Sequence, residues 1–214
     1  MKLHGYYRSS ASYRVRIALN LKNLRPDTAY VHLSRNGGEQ FMPAFSSLNP
    51  QHLLPVLEDG GAVLTQSLAI IEYLDETRPG PALLPQDAPG RARVRQLAMV
   101  CACDIHPLNN LRVLNYLTGP LALSQEQKNA WYRHWTHLGL AALEAELARS
   151  PHTGTFCHGD TPTLADCCLV PQVYNARRFQ CDLAPYPTIL RIVAHCEALP
   201  AFQDAHPDRQ PDAE

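Results

Sequence analysis

Between Arg78 and Gly90 the chain reads RPGPALLPQDAPG. Four prolines and two glycines in thirteen residues remove backbone donors and favour turn conformations, so neither a helix nor a sheet ladder can run through. The stretch divides the 214 residues into two parts of different character. Before it, β-rich and helical patterns alternate. After it, no segment reads as a strand. The expectation is an α+β domain over residues 1–80, a linker over 81–89 and an all-α domain over 90–214.

Within the first part, Leu3–Tyr6 reads as a short strand. A helix is predicted over about Tyr13–Lys22, because Val15, Ala18 and Leu19 fall on one face and Asn20 to Asn23 ends it. Thr28–Leu33 is β-rich. LLPVLEDGGAVLTQ reads as a hairpin turning at Asp59-Gly60-Gly61, residues that tolerate positive φ. SLAIIEYLDET follows as a helix with Ser67 as its N-cap. The order is β-α-β-(α)-β-β-α. Beyond the linker, a helix from Arg91 to about Tyr116 must kink or break at Pro107. Ser124 with Gln127, and Thr163 with Asp166, form capping-box patterns ahead of two further helices. Pro187–Leu199 is the last helix, and the polar tail from Ala205 is expected to lie on the surface or fray.

A net charge of −1 and a pI near 6.8 give no electrostatic case for nucleic acid or an anionic membrane surface. The first ten residues lack the apolar region of a signal peptide, and no apolar run is long enough to span a bilayer. A soluble cytoplasmic protein is expected. The seven cysteines contain no C-x-x-C and read as buried core thiols. His134 and His137 share a helix face, but no third ligand follows at a zinc-type spacing, so no metal is expected.

RSSASYRVRIAL, Arg8–Leu19, places three serines at the mouth of the first helix, just after a strand. Such an N-terminus binds anions. It holds no thiol, so the protein cannot itself exchange disulfides at this turn. A hydroxyl there can instead donate to a thiolate carried in by a ligand and lower its pKa. Pro55 reads either as an ordinary strand-entry proline or as a cis-proline that turns the Leu54 backbone toward an extended peptide ligand. Gln66-Ser67 reads either as a plain cap or as a carboxylate site on helix amides. Trp131, Trp135 and Leu138, at helical spacing, read as packing residues.

These pieces together resemble the glutathione transferase family over essentially the whole chain. The segments YYRSSASYRVRIALNLK, QSLAIIEYLDETRPGPALLPQD and VPQVYNARRFQCDLAPYPTI resemble its zeta class, which includes maleylacetoacetate and maleylpyruvate isomerases. The resemblance implies a thioredoxin-like first domain, a helical second domain and a homodimer. Glutathione is the implied cofactor, its thiolate adding reversibly to a cis double bond so that the bond can rotate. The implied thiolate partners are Ser9 and Ser10, with Ala11 and Ser12 beside them. Gln40, Leu54, Pro55, Gln66, Ser67, His106, Asn110 and Arg112 are the further implied glutathione contacts. Arg8 and Arg178 are implied to hold carboxylates of a small enone substrate. Arg177 lies about 100° around the helix from Arg178, so only one of the two faces inward. Ala11 stands where many class members carry cysteine, which removes any side reaction needing that thiol. The implied reaction is isomerisation of maleylacetoacetate to fumarylacetoacetate in aromatic amino acid degradation. Maleylpyruvate isomerisation, general conjugation of electrophiles and a non-catalytic binding module are the alternatives.

Overall fold

The computed structural model describes residues 1–214. They form two units, Met1–Leu83 with Ala198–Glu214, and Leu84–Glu197. In the first, β1 (Lys2–Gly5), α1 (Ser10–Leu21) and β2 (Asp27–Tyr30) make a parallel crossover, Leu3 lying opposite Thr28. A short helix, α2 (Pro43–Ser46), precedes the hairpin β3 (Val56–Asp59) and β4 (Ala62–Thr65), and α3 (Ser67–Thr77) closes the motif. The sheet order is β2-β1-β3-β4, with β1 antiparallel to β3 and β3 antiparallel to β4. β3 is central, so both faces are covered: Val56 and Leu57 are each 0% exposed, as expected of an inner strand. Val15, Ile17 and Ala18 of α1 and Ile70, Ile71 and Leu74 of α3 are buried too.

Four expectations change here. The strands begin and end slightly earlier than predicted, and α1 starts at Ser10 rather than near Tyr13, because Ser9 caps it and draws the serines into its first turn. Ser67 is not the cap of α3 but its first residue; Gln66 holds the cap position at φ 69°. The linker's first residues belong to this unit. Lys22 Nζ donates to Asp75 Oδ1 (3.0 Å) and to the Pro81 carbonyl (3.1 Å), while the Leu83 amide donates to the same Asp75 oxygen (2.9 Å). The C-terminal segment from Ala198, expected in the second domain, belongs instead to this unit, with its polar tail on the surface rather than frayed. Its helix α9 (Pro200–Ala205) is tied to α1 by Asn20 Nδ2 donating to the Ala201 carbonyl (2.9 Å) and Arg16 Nε to the Ala205 carbonyl (3.1 Å).

The second unit is helical. α4 (Ala88–Met99) passes through a π-helical turn, Val100–Ile105, and a 3-10 turn at Pro107–Asn109 before α5 (Leu111–Thr118). The break falls where Pro107 cannot donate to the ladder. α6 (Gln125–Arg149) opens on the Ser124–Gln127 capping box. α7 (Leu164–Arg178) and α8 (Pro187–Glu197) complete the unit. The Asp166 carboxylate, 0% exposed, accepts from the Thr163 amide (2.8 Å) and hydroxyl (2.8 Å) and from the Cys157 amide (2.9 Å). It thus ties the start of α7 to the preceding loop. Six of the seven cysteines are buried and Cys103 is exposed. No helix is long and apolar enough to cross a membrane.

Candidate active site

The turn between β1 and α1 carries the serines. Ser9 is the N-cap: its Oγ accepts the Ser12 amide (3.2 Å), and its carbonyl accepts the Tyr13 amide (2.8 Å). A serine oxygen that accepts through a lone pair keeps its own proton for another partner. Ser9 is half-buried, whereas Ser10 is 5% exposed and Ser12 0%. Of the implied thiolate partners, Ser9 therefore has the accessible hydroxyl. Ser12 shapes the cap instead, its amide held by Ser9 and its buried Oγ meeting no partner. Ala11 lies in the first helical turn, where no intrahelical carbonyl can take the amide.

The start of α3 makes a second such site. Gln66 at positive φ is a backbone conformation that costs a non-glycine residue about 1–3 kcal/mol, and it turns the hairpin abruptly into the helix. Its side-chain amide donates to Gln51 Oε1 (3.1 Å). Behind Ser67 lies Arg14, only 2% exposed. Its Nη1 donates to Ser67 Oγ (3.2 Å), while its buried Nε and Nη2 meet no acceptor. A buried cation with two unmet donors beside a helix N-terminus favours an anion there. Arg14 has no signal in the sequence, since an arginine on an amphipathic helix reads as solvent-facing.

Just ahead of β3, the Leu54–Pro55 peptide bond is cis. Leu54 packs with Tyr6, Tyr7, Val31, Phe45 and Val56, so it adjoins the residues leading into Ser9. Gln40 is 6% exposed. Its Nε2 donates to the Leu33 carbonyl (3.3 Å), and its carbonyl meets His52 Nδ1 (3.1 Å), an arrangement that anchors the loop. Arg8 is exposed and enters no ion pair with any carboxylate of the chain. Its guanidinium lies 4.9 Å from the centre of the Tyr7 ring and donates to Tyr6 Oη (3.1 Å). Burial pushes the Tyr6 hydroxyl above its ordinary value against the pull of Arg8, so at neutral pH it is an uncharged partner.

The remaining implied residues lie in the second unit. Asn110 caps α5, its Oδ1 accepting the Arg112 amide (3.1 Å), and its Nδ2 lies 3.4 Å from His106 Nε2. Arg112 is exposed and His106 half-buried. Both arginines ending α7 are exposed, so neither is turned inward as expected, and they differ only in their partners. Arg177 is paired with Glu197 at 2.5 Å. Arg178 Nη1 reaches only Asn175 Oδ1 (3.2 Å), and its guanidinium lies 5.9 Å from the Tyr174 and Phe179 rings. Arg178 is thus the cation left without a carboxylate.

Two helix N-termini with a hydroxyl at each, a cis-proline ahead of β3 and a buried cation with unmet donors suit a ligand carrying both a thiol and carboxylates. Known proteins match this chain accordingly. Residues 3–82 match the family model for the glutathione S-transferase N-terminal domain, and residues 137–204 that for the C-terminal domain. The chain belongs to the glutathione S-transferase family. A probable maleylacetoacetate isomerase of Vibrio cholerae is 55% identical over 211 residues, 99% of this chain and 97% of that protein. The solved holo structure of a maleylpyruvate isomerase, described as a bacterial zeta-class glutathione transferase, superposes with a TM-score of 0.97. It is 52% identical and covers 100% of both chains. A maleylacetoacetate isomerase from Methylobacterium extorquens, solved with malonate and glutathione bound, gives a TM-score of 0.96 at 44% identity, again over 100% of both. Within the glutathione transferases the chain falls in the zeta class.

Proposed function

We propose that this glutathione transferase is a glutathione-dependent cis–trans isomerase converting maleylacetoacetate to fumarylacetoacetate. The observation that carries the reading is Ser9: a half-buried cap hydroxyl whose oxygen is already an acceptor, at a helix end that favours negative charge. Glutathione, when bound, supplies a thiolate that adds to the cis double bond and leaves again once the bond has turned. Ser9 donates to that sulfur and holds it ionised. Gln66, Ser67 and the α3 amides hold the γ-glutamyl carboxylate, with Arg14 orienting the Ser67 hydroxyl. Leu54, whose backbone precedes the β3 ladder next to the cis-proline, pairs with the peptide portion of the ligand.

The reaction also requires cations for the substrate's carboxylates. Arg8 and Arg178 take that role, since neither is held in an ion pair by a carboxylate of the chain. A relative that binds malonate together with glutathione supports a carboxylate-bearing substrate. These same cations disfavour general conjugation of apolar electrophiles. His106 and Arg112 serve as further glutathione contacts, with Asn110 holding them in place through its cap. The working form is a cytoplasmic homodimer, to which the exposed Phe41 and Met42 offer apolar surface.

Maleylpyruvate is the second reading, favoured by the 52% identity to a maleylpyruvate isomerase. Both substrates share the enone and carboxylate that the residues above address. Isomerisation rates on each, with and without glutathione, decide between them. Glutathione-dependent turnover of maleylacetoacetate in preference to maleylpyruvate is expected. The reverse preference would replace the substrate, and no turnover of either with glutathione still bound would refute the isomerase reading.

A further inference from the structure

The turn that carries Arg8 and Ser9 is not held by the sheet. The β1 ladder ends at Gly5, and the only backbone bond across the turn runs from the Ser9 amide to the Tyr6 carbonyl (3.0 Å). The two residues in front of Arg8 find their partners elsewhere. The Tyr7 amide donates to Asp212 Oδ2 (2.9 Å). The Tyr7 carbonyl accepts from Arg16 Nη2 (2.9 Å), and the Tyr6 carbonyl from Arg16 Nη1 (3.3 Å). Arg16 in turn places its Nε on the Ala205 carbonyl (3.1 Å). One guanidinium therefore fastens the turn to the tail, and one carboxylate from the tail completes the turn's backbone bonding.

A second line of contacts runs from the tail to Arg8. His32 Nδ1 accepts the Arg35 (2.8 Å) and Ser34 (3.2 Å) amides, so the ring proton sits on Nε2. That nitrogen lies 3.2 Å from Glu214 Oε1 and 3.5 Å from Tyr6 Oη, and Tyr6 Oη accepts from Arg8. Buried amides must be partnered, and the partner of the Tyr7 amide comes from the far end of the chain.

We propose that Asp212, acting with Arg16, is a positioning residue: the C-terminal segment holds the Tyr6–Ser9 turn from behind and thereby aims Ser9 at the thiolate and Arg8 at the substrate. The proposal rests on the roles given above to Ser9 and Arg8. Asp212 touches neither substrate nor cofactor; it acts through the Tyr7 backbone. Asparagine preserves the acceptor that the Tyr7 amide needs, and alanine does not.

The test compares Asp212→Ala, Asp212→Asn and Arg16→Lys in the full chain. The readouts are kcat and KM, the pH dependence of bound-thiolate absorbance, thermal unfolding, and amide exchange in the peptide spanning residues 6–9. Asp212→Ala is expected to lower kcat by roughly ten-fold or more, the scale of a small misplacement of a catalytic group. It should also raise the apparent thiolate pKa and speed exchange in that peptide, while Asp212→Asn restores all three. Arg16→Lys, which reaches one carbonyl where arginine reaches several, should give the same pattern. Unchanged kcat, thiolate titration and exchange in Asp212→Ala would overturn the proposal, as would an asparagine variant no better than alanine. Ser9→Ala run alongside separates the two ideas. Loss there without loss in Asp212→Ala overturns the positioning role alone. No loss in Ser9→Ala overturns the assignment of Ser9 as the thiolate partner, and the exchange data then decide whether Asp212 holds the turn.

Discussion

Replacing Ser9 by alanine removes two things at once, and their sizes can be separated. The first is the helix cap: Ser9 Oγ accepts the Ser12 amide at 3.2 Å, a contact whose loss costs about 1 kcal/mol. For a chain of this length that lowers the unfolding midpoint by roughly 2–4 °C. The second is the donor to the thiolate. A thiol of pKa ~8.5 is about 3% ionised at pH 7, whereas one lowered to ~7 is half ionised, so losing the donor reduces the reactive form about fifteen-fold. Misalignment of the sulfur adds to this, and a total loss of roughly 10²-fold in kcat/KM is expected, the scale of removing one charge-stabilising donor. The sign in pH follows. Because the active form is the thiolate, the acid limb of the rate profile should move to higher pH by about one to two units.

Ser9→Asp isolates the two effects. Aspartate caps as well as serine, so stability should stay within about 0.5 kcal/mol of the parent. Its charge opposes a neighbouring thiolate, so activity should fall at least as far as in the alanine variant. Calorimetry, the pH–rate profile and the ultraviolet absorbance of bound thiolate read these outcomes. A Ser9→Ala enzyme with an unmoved acid limb and near-normal turnover would refute the assignment. So would an aspartate variant more active than the alanine one.

Two further outcomes follow from the second unit. Arg178→Ala should raise KM for the substrate while glutathione affinity holds, because Arg178 has no carboxylate of its own whereas Arg177 is paired with Glu197; collapse of glutathione affinity instead would move Arg178 out of the substrate site. Asp166→Ala should destabilise by about 3 kcal/mol or more, measured by denaturant unfolding, because it leaves the Cys157 amide and the Thr163 amide and hydroxyl buried without acceptors; a change below about 1 kcal/mol would contradict that accounting.

Much of the candidate site's local geometry was readable because each piece is a short-range pattern. Ser9 caps a helix four residues after a strand, Pro55 opens a strand, and Gln66-Ser67 follows a hairpin. What the pattern left open was which serine presents its hydroxyl. Burial decided for Ser9, since Ser10 and Ser12 turn into the core. Gln66 took the cap position expected of Ser67, its positive φ turning the chain from the hairpin into α3. Arg14 was invisible: nothing in its neighbours along the chain marks a guanidinium that folds under the helix to meet Ser67.

The sequence by itself determined the order of elements, the break at the proline-rich segment and the two capping boxes of the second unit, because each depends on residues within a few positions of one another. The α6 and α7 boxes at Ser124 and Thr163 formed at the expected places for that reason. Only the tertiary structure decided where the tail goes. A polar, proline-bearing end has no periodicity to announce a destination. Its contacts join Asp212 to Tyr7 and Glu214 to His32 across nearly the whole chain length. Such pairings are set by which backbone groups the folded sheet and turn leave without partners, and that is a property of the assembled fold rather than of any stretch of residues.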